Sequence, residues 1–217
     1  VNSMSILRTN QIQDTGTNNA MAISGGTVTF SNAPSGLGNS SAIVKILDET
    51  ISSTGMYILN STYINSTYDS YIIQIETIPS NDTNYFYSDA YVGGSVVDSG
   101  NGYSRYVREI GSGDVWNSPG QSEFCLFNRN GVGNATGEGI TVNALLQNVN
   151  STTRPCAITG TSTYFNTSGL PNNAFVGGTL LPANRADVVN GLRFYGSAES
   201  GGNTIASGTV KLYGLRT

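Results

Sequence analysis

Carboxylates are the main candidates in this sequence for acid–base chemistry. The 217 residues contain no histidine, which excludes Ser-His-Asp and Cys-His triads and histidine-ligated zinc sites. A hydrolase on this chain would need two carboxyl groups about 5–10 Å apart across a sugar site, one of them with a raised pKa. The candidates are Asp89, Asp98, Asp114, Glu123 and Glu138. Scattered acids are usually solvated, so the sequence favours a protein that is not an enzyme.

A second group of residues could bind a sugar without reacting with it. Trp116 is the single tryptophan and lies in "DVWNSPGQSEF", a predicted loop between strands, while "GNGYSRY" adds Tyr103, Arg105 and Tyr106 nearby in the sequence. A loop aromatic can stack on a sugar ring. The alternative is that Trp116 and Tyr106 only cap the edge of a sandwich. We take the four residues as candidate glycan contacts.

Cofactor and metal motifs are not found. The segment "GVGNATGEGI" is rich in glycine but lacks the lysine and the following helix of a phosphate-binding loop, so it is predicted to form a hairpin or bulge. No EF-hand pattern is present. The two cysteines, Cys125 and Cys156, are predicted to be small core residues that remain thiols, with a disulfide as the alternative. We therefore expect no cofactor and no metal.

The composition also argues against several kinds of partner. Charged residues make up 11% of the chain against about 25% in an average soluble protein. The formal net charge is −4 and no basic cluster occurs, which argues against binding to nucleic acid. No run of 18 apolar residues and no secretion signal is found, so we expect no membrane span.

From about residue 37 the sequence predicts one β-strand after another. Apolar and polar residues alternate in segments such as "YDSYIIQIETI" and "TVKLYGL", and Gly, Asn, Ser or Pro bounds each segment. This pattern predicts an all-β, antiparallel sandwich of the jelly-roll type over residues 37–217. In "LRFY" the apolar residues Leu192 and Phe194 would share one face, which predicts a sheet that packs on one side. The predicted inward residues are Ile73, Ile75, Leu126, Leu145, Phe194 and Leu212.

Residues 1–36 have only short apolar fragments separated by turn residues, and we expect them to form an extended arm. Such a segment buries too little surface to fold alone, so it either packs against sister subunits or orders on a larger assembly. We favour packing against sister subunits, because the arm's apolar residues would otherwise be exposed on a monomer. These residues are Ile6, Ile12, Met21, Ile23, Val28 and Phe30.

Several blocks of the chain resemble tail-fibre and virion-appendage proteins of aquatic tailed bacteriophages. The segment "TNQIQDTGTNNAMAI" is similar to the start of many such proteins, and "INSTYDSYIIQIETIPSND" is similar to the strand pair that follows there. The segments "GNATGEGITVNALLQNVNSTTRPCAITGTSTYF" and "GLRFYGSAESGGNTIASGTVKLYGL" resemble the closing half, and the last of them is the most specific.

This resemblance implies a structural virion protein, either a tail fibre or a capsid-decorating or head fibre. It implies a homotrimer in which the arm attaches or trimerises while the sandwich projects outward. The implied partners are the chain itself, other capsid or tail proteins and host-surface polysaccharide, and the implied location is the virion, after assembly in the host cytoplasm. Two alternatives remain: a carbohydrate-binding module that uses Trp116, and a glycan hydrolase that uses Glu123 or Glu138 with a partner aspartate.

Overall fold

The chain consists of two compact units, Val1–Ser41 and Ala42–Thr217. The computed structural model describes residues 11–13, 19–24, 27–29, 42–82, 85–97, 102–110, 115–181, 186–196 and 205–216. Across these ranges the regular structure is β-strand and no helix occurs.

The first unit contains a three-stranded antiparallel sheet. Strands β1 (Gln11–Gln13), β2 (Asn19–Ser24) and β3 (Thr27–Thr29) pair in the order β1-β2-β3. The register pairs Ile12 with Met21 and Ile23 with Val28, so four of the six predicted arm residues occupy neighbouring register positions. Ile6 and Phe30, the other two, lie outside the described residues.

The second unit is a sandwich of two antiparallel sheets, which confirms the predicted fold class. Its strands are β4 (Ile43–Thr54), β5 (Met56–Leu59), β6 (Ser70–Pro79), β7 (Phe86–Val92), β8 (Ser95–Val96), β9 (Tyr103–Ile110), β10 (Val115–Gln121), β11 (Cys125–Leu126), β12 (Ile140–Gln147), β13 (Ala157–Phe165), β14 (Pro171–Leu180), β15 (Val189–Gly196) and β16 (Ile205–Leu215). The larger sheet has eight strands in the order β10-β9-β14-β13-β12-β6-β16-β4. The smaller sheet has five, with β11-β7-β15-β5 as the path and β8 paired to β7.

Alternating side chains of the central strands build the core between the sheets. In β6 the residues Tyr71, Ile73 and Ile75 are buried, while Gln74 and Glu76 point to the outer face of the larger sheet. Five of the six predicted core residues are buried as expected: Ile73, Ile75, Leu126, Phe194 and Leu212.

The prediction for Leu145 was wrong. Leu145 is half-buried on the outer face, and Leu146 is the fully buried leucine of β12. The register explains the difference, because Leu146 pairs with the buried Tyr71 whereas Leu145 pairs with Ile72 on the outer face. Side chains alternate along a strand, so only one of two adjacent leucines can enter the core.

Strand β15 is buried on both faces, contrary to the expectation of a sheet that packs on one side. Leu192 and Phe194 lie on one face and Arg193 and Tyr195 on the other, and all four are buried. The Phe194 ring packs against Phe86 with 6.4 Å between the ring centroids. Because β15 lies between β5 and β7, its backbone is also paired on both sides.

The two sheets come into close contact where the segment around β11 meets β14. Residues Phe124 to Phe127 are fully buried, although only Cys125–Leu126 is strand. A methyl group at Gly178 of β14 would overlap the carbonyl oxygen of Phe124, so this contact requires glycine. The larger sheet can therefore hold β11 against its inner face only because β14 lacks a side chain there.

Candidate functional site

Asp89, one of the predicted catalytic acids, lies in the core as a structural ion pair. Its side chain is fully buried, and its Oδ2 accepts hydrogen bonds from Nε and Nη2 of Arg193 at 2.8 Å each. Oδ1 accepts a hydrogen bond from the backbone N–H of Phe124 at 3.2 Å. Burial raises the pKa of Asp89 to about 6, and Arg193 opposes that rise. The carboxylate thus joins β7, β15 and the segment before β11.

A second buried carboxylate, Glu109, was missed by the sequence analysis. It is 1% exposed and accepts hydrogen bonds from the hydroxyl of Tyr164, the backbone N–H groups of Arg129 and Asn130, and the Asn130 amide at 2.7 Å. Burial, followed by the bond to Glu109, raises the pKa of Tyr164. Its position in the alternating strand "YSRYVREI" was the available signal, because Glu109 falls in phase with the buried Tyr103 and Val107.

Tyr103 and Tyr106, two of the predicted glycan contacts, lie on opposite faces of β9. Tyr103 is fully buried and its hydroxyl accepts a hydrogen bond from the N–H of Ala90 at 3.0 Å, so its assignment as a surface contact was wrong. Tyr106 is half-buried on the outer face, opposite Gly177 and Asn117. Trp116 pairs with Val107 in the register of β10 and β9, one position out of phase with Tyr106. Alternation along β9 thus separates residues that are close in sequence.

Arg105 and Glu123 form an ion pair between β9 and the segment after β10. The guanidinium of Arg105 hydrogen-bonds Glu123 Oε2, and its central carbon lies 5.7 Å from the centroid of the Tyr87 ring. Both side chains are partly buried. Glu123 and Arg105 are therefore partners in a structural ion pair, as are Asp89 and Arg193.

Three of the predicted catalytic acids remain, and one of them, Glu138, lies beside a surface groove that is described below. Glu138 is half-buried and its Oε2 accepts a hydrogen bond from the N–H of Ala135 at 2.8 Å. Asp98 and Asp114 lie outside the described residues. No cluster of metal-ligating side chains occurs within the described ranges.

Both cysteines are buried free thiols, which confirms the prediction that they remain unpaired. Burial raises the pKa of Cys125 and of Cys156, so neither side chain is a ready nucleophile. They act as small core residues.

An open groove lies on the outer face of the larger sheet. It has a volume of about 340 Å³ and lies at one end of β6, β12, β13 and β16. The side chains that supply polar groups are Glu76, Glu138, Thr141, Thr163, Ser207 and Thr209. Phe165, which is 37% exposed, adds an aromatic wall.

A smaller cavity of about 100 Å³ continues this groove along β6, β12 and β16, which are three of the four strands beside the larger cavity. It shares Glu76, Thr141 and Thr209 with the larger cavity. It adds Gln74, Asn143 and Lys211. We call the two cavities together the outer groove.

The register explains why these residues meet. One row across the sheet runs Thr209–Glu76–Thr141–Thr163, and the next row runs Lys211–Gln74–Asn143–Thr161. Outward polar positions could be recognised within each strand, as in Gln74 and Glu76. The sequence does not show that β6 lies between β12 and β16, so the groove could not be predicted.

Gly139 is one of the residues that line the groove. Gly139 has φ +127°, a conformation that L side chains rarely adopt, and a Cβ there would lie 2.6 Å from the carbonyl oxygen of Thr77. The "GVGNATGEGI" segment contains a turn, in which the N–H of Glu138 donates to the carbonyl oxygen of Ala135 at 2.9 Å. It is not a hairpin, because the strands before and after it, β11 and β12, pair with other strands.

Comparison of the chain with protein-family models, curated proteins and solved structures finds no match. Over the described ranges, no helix has the length and apolar character needed to cross a membrane.

Proposed function

We propose that this chain is a non-enzymatic structural protein of a bacteriophage virion, a tail fibre or a capsid or head fibre, that assembles as a homotrimer. The sandwich projects from the particle, and the N-terminal unit attaches it and joins the subunits. The resemblance of the closing strands to virion-appendage proteins suggests this class. The observation that carries the proposal is the division of the chain into a short unit and a large sandwich with its own core.

The hydrogen bonds of three acidic side chains support a structural role. Asp89, Glu109 and Glu123 each bind a residue of another strand or loop, which joins elements of the sandwich. Hydrogen bonds to a carboxylate are stronger than neutral ones, so these groups stiffen the fold. A rigid head suits an extracellular appendage, which must keep its shape without turnover.

The apolar residues of the N-terminal unit support self-association. Ile12, Met21, Ile23 and Val28 occupy paired register positions in a sheet of three short strands. A sheet of this size buries little surface by itself, so its apolar residues gain most when other copies cover them.

The test is the mass of the purified chain in solution, followed by its location. Light scattering or sedimentation should give three times the 22.8 kDa of one chain. Cryo-electron microscopy of particles that encode the chain should then place three copies around one axis at a tail or capsid position. A persistent monomer at high concentration, or absence from the particle, would contradict the proposal.

The absence of catalysis is tested separately. Wild type and Glu138→Gln are incubated with neutral and acidic polysaccharides, and released reducing ends are measured. We expect no release from either. Release by the wild type that Glu138→Gln abolishes would instead favour the hydrolase alternative.

A further inference from the structure

We propose that the outer groove is a binding site for a neutral oligosaccharide. Glu76, Thr141, Asn143 and Thr209 supply the polar contacts, and Phe165 walls one end. This assignment moves the sugar site away from Trp116 to the other half of the larger sheet, since three strands, β9, β14 and β13, lie between β10 and β12. This inference rests on the proposed function in one respect only, the source of the ligand, which would be a cell-surface glycan. Binding itself is a property of the isolated chain.

The groove offers the mixture of donors and acceptors that sugar hydroxyls need. Each sugar hydroxyl donates one hydrogen bond and accepts others, so carboxylates, amides and hydroxyls all match it. Gln74 Nε2 donates to Asn143 Oδ1 at 3.1 Å, which orients the two amides side by side. That bond uses one donor and one lone pair, and each amide has further donors and acceptors for a ligand.

Apolar side chains border the polar rows, as the C–H faces of a sugar ring require. Tyr213, Ile72 and Leu145 form the next row across the sheet, and all three are half-buried. Phe165 lies at the other end of the groove. A ligand that lies along the strands therefore meets apolar groups at both ends and polar groups between them.

The charges of the lining select against anionic ligands. Glu76 and Glu138 contribute two carboxylates, and Lys211 contributes one ammonium group at the far end. A uronic acid or phosphate group in the larger cavity would face Glu76 and Glu138 with like charge. We therefore assign neutral rather than acidic glycans.

The groove is pre-organised because regular strands build most of it. Glu76, Thr141 and Thr209 lie at paired positions of three adjacent strands in the middle of the larger sheet. Binding needs no loop closure at these residues, so little conformational entropy is lost. The volume of about 340 Å³, with the adjoining cavity, is in the range of ordinary ligand pockets of about 300–1,000 Å³.

The experiment measures binding of the full chain to hexasaccharides of glucose, mannose, galactose and N-acetylglucosamine by titration calorimetry. A uronic acid hexasaccharide serves as the acidic probe. The groove variants are Glu76→Gln and Thr141→Ala, and Thr159→Ala is the matched control. Thr159 is an exposed outer-face threonine on the strand next to Thr141, outside both cavities. Thermal unfolding of each variant reports whether the fold is intact.

We expect at least one neutral hexasaccharide to bind, with about tenfold or greater loss in each groove variant and no change in Thr159→Ala. Three results would overturn the proposal: no binding to any neutral probe, unchanged affinity in folded groove variants, or preference for the uronic acid probe. Incorporation into particles tests the virion role separately from sugar binding. Thr141→Ala should be incorporated even though it has lost affinity for the sugar. A chain that binds the neutral probe but is absent from particles would refute the virion role and leave the sugar site unaffected.

Discussion

Buried ionisable side chains in this protein act as joints between strands. Asp89 and Arg193 are both buried, and the guanidinium of Arg193 also lies 5.0 Å from the centroid of the Tyr195 ring. Removing one member of a buried ion pair leaves the other charge without compensation, which is costly in a low-dielectric core. The pair therefore holds β7 and β15 together by a mechanism that responds to pH.

We expect Arg193→Met to lower the free energy of unfolding by about 3–5 kcal/mol at pH 7.5. The pKa of Asp89 is already raised to about 6 in the folded protein, and loss of Arg193 should raise it further. A raised folded-state pKa gives stability that is present at low pH and lost as pH rises through that pKa. The cost should therefore be smaller at pH 5 than at pH 7.5.

Urea denaturation at the two pH values measures this difference. The double variant Arg193→Met/Asp89→Asn is the control, because it has no carboxylate to titrate. The free energy of unfolding that this double variant loses relative to wild type should not increase between pH 5 and pH 7.5. An equal cost of Arg193→Met at both values would show that Asp89 does not carry an uncompensated charge.

Phe194 is the second residue whose contribution can be isolated. Its ring is 1% exposed and packs against Phe86 and Phe127, with centroids 6.4 Å and 6.0 Å away. Phe194→Ala should lower the free energy of unfolding by about 3–5 kcal/mol, because it removes buried apolar surface and leaves a cavity. Phe175→Ala is the matched control, since Phe175 is 50% exposed on the outer face. Similar costs for the two variants would contradict the position of Phe194 in the core.

The strands of the larger sheet serve two purposes at once. Their inner positions form the core, and their outer positions form rows of threonine, amide and carboxylate side chains. Close contact between the sheets depends on the missing side chain at Gly178, which lets the backbone of Phe124 approach β14. The neighbouring Gly177 points to the outer face and has no comparable restriction.

This difference predicts opposite outcomes for two adjacent substitutions. Gly178→Ala should destabilise the sandwich by several kcal/mol, on the order of 2–4, because its methyl group overlaps a buried carbonyl oxygen. Gly177→Ala should be tolerated, since its Cβ would lie 3.5 Å from the nearest atom, the carbonyl oxygen of Ile158. Thermal unfolding of the two variants checks this, and a stable Gly178→Ala would refute the close approach of β11.

At the scale of the molecule, the sandwich accounts for its own stability. A cluster of buried apolar residues from Ile51 to Leu212 forms a core inside the unit Ala42–Thr217. The strands that the structure describes in the first unit are short, with three to six residues each. The sandwich therefore has a core of its own, and the proposed role in assembly falls to the N-terminal unit.

A chain of residues 42–217 should accordingly fold, with a urea midpoint close to that of the full chain. It should also be a monomer, because the proposed subunit contacts are made by the first unit. Sedimentation of the two proteins at equal concentration gives the comparison. A trimer of residues 42–217 would show that the sandwich itself carries the subunit interface.

The sequence by itself determined the all-β class and most of the core. These features depend on local periodicity and composition, as in the alternation of Ile73 and Ile75 with Gln74 and Glu76. The tertiary structure alone decided which strands are neighbours and which of two adjacent residues enters the core, as for Leu145 and Leu146. It also moved Tyr103 into the core and brought Glu76, Thr141 and Thr209 together. Pairing between strands distant in sequence is a property of the whole packed sandwich, so no local pattern records it.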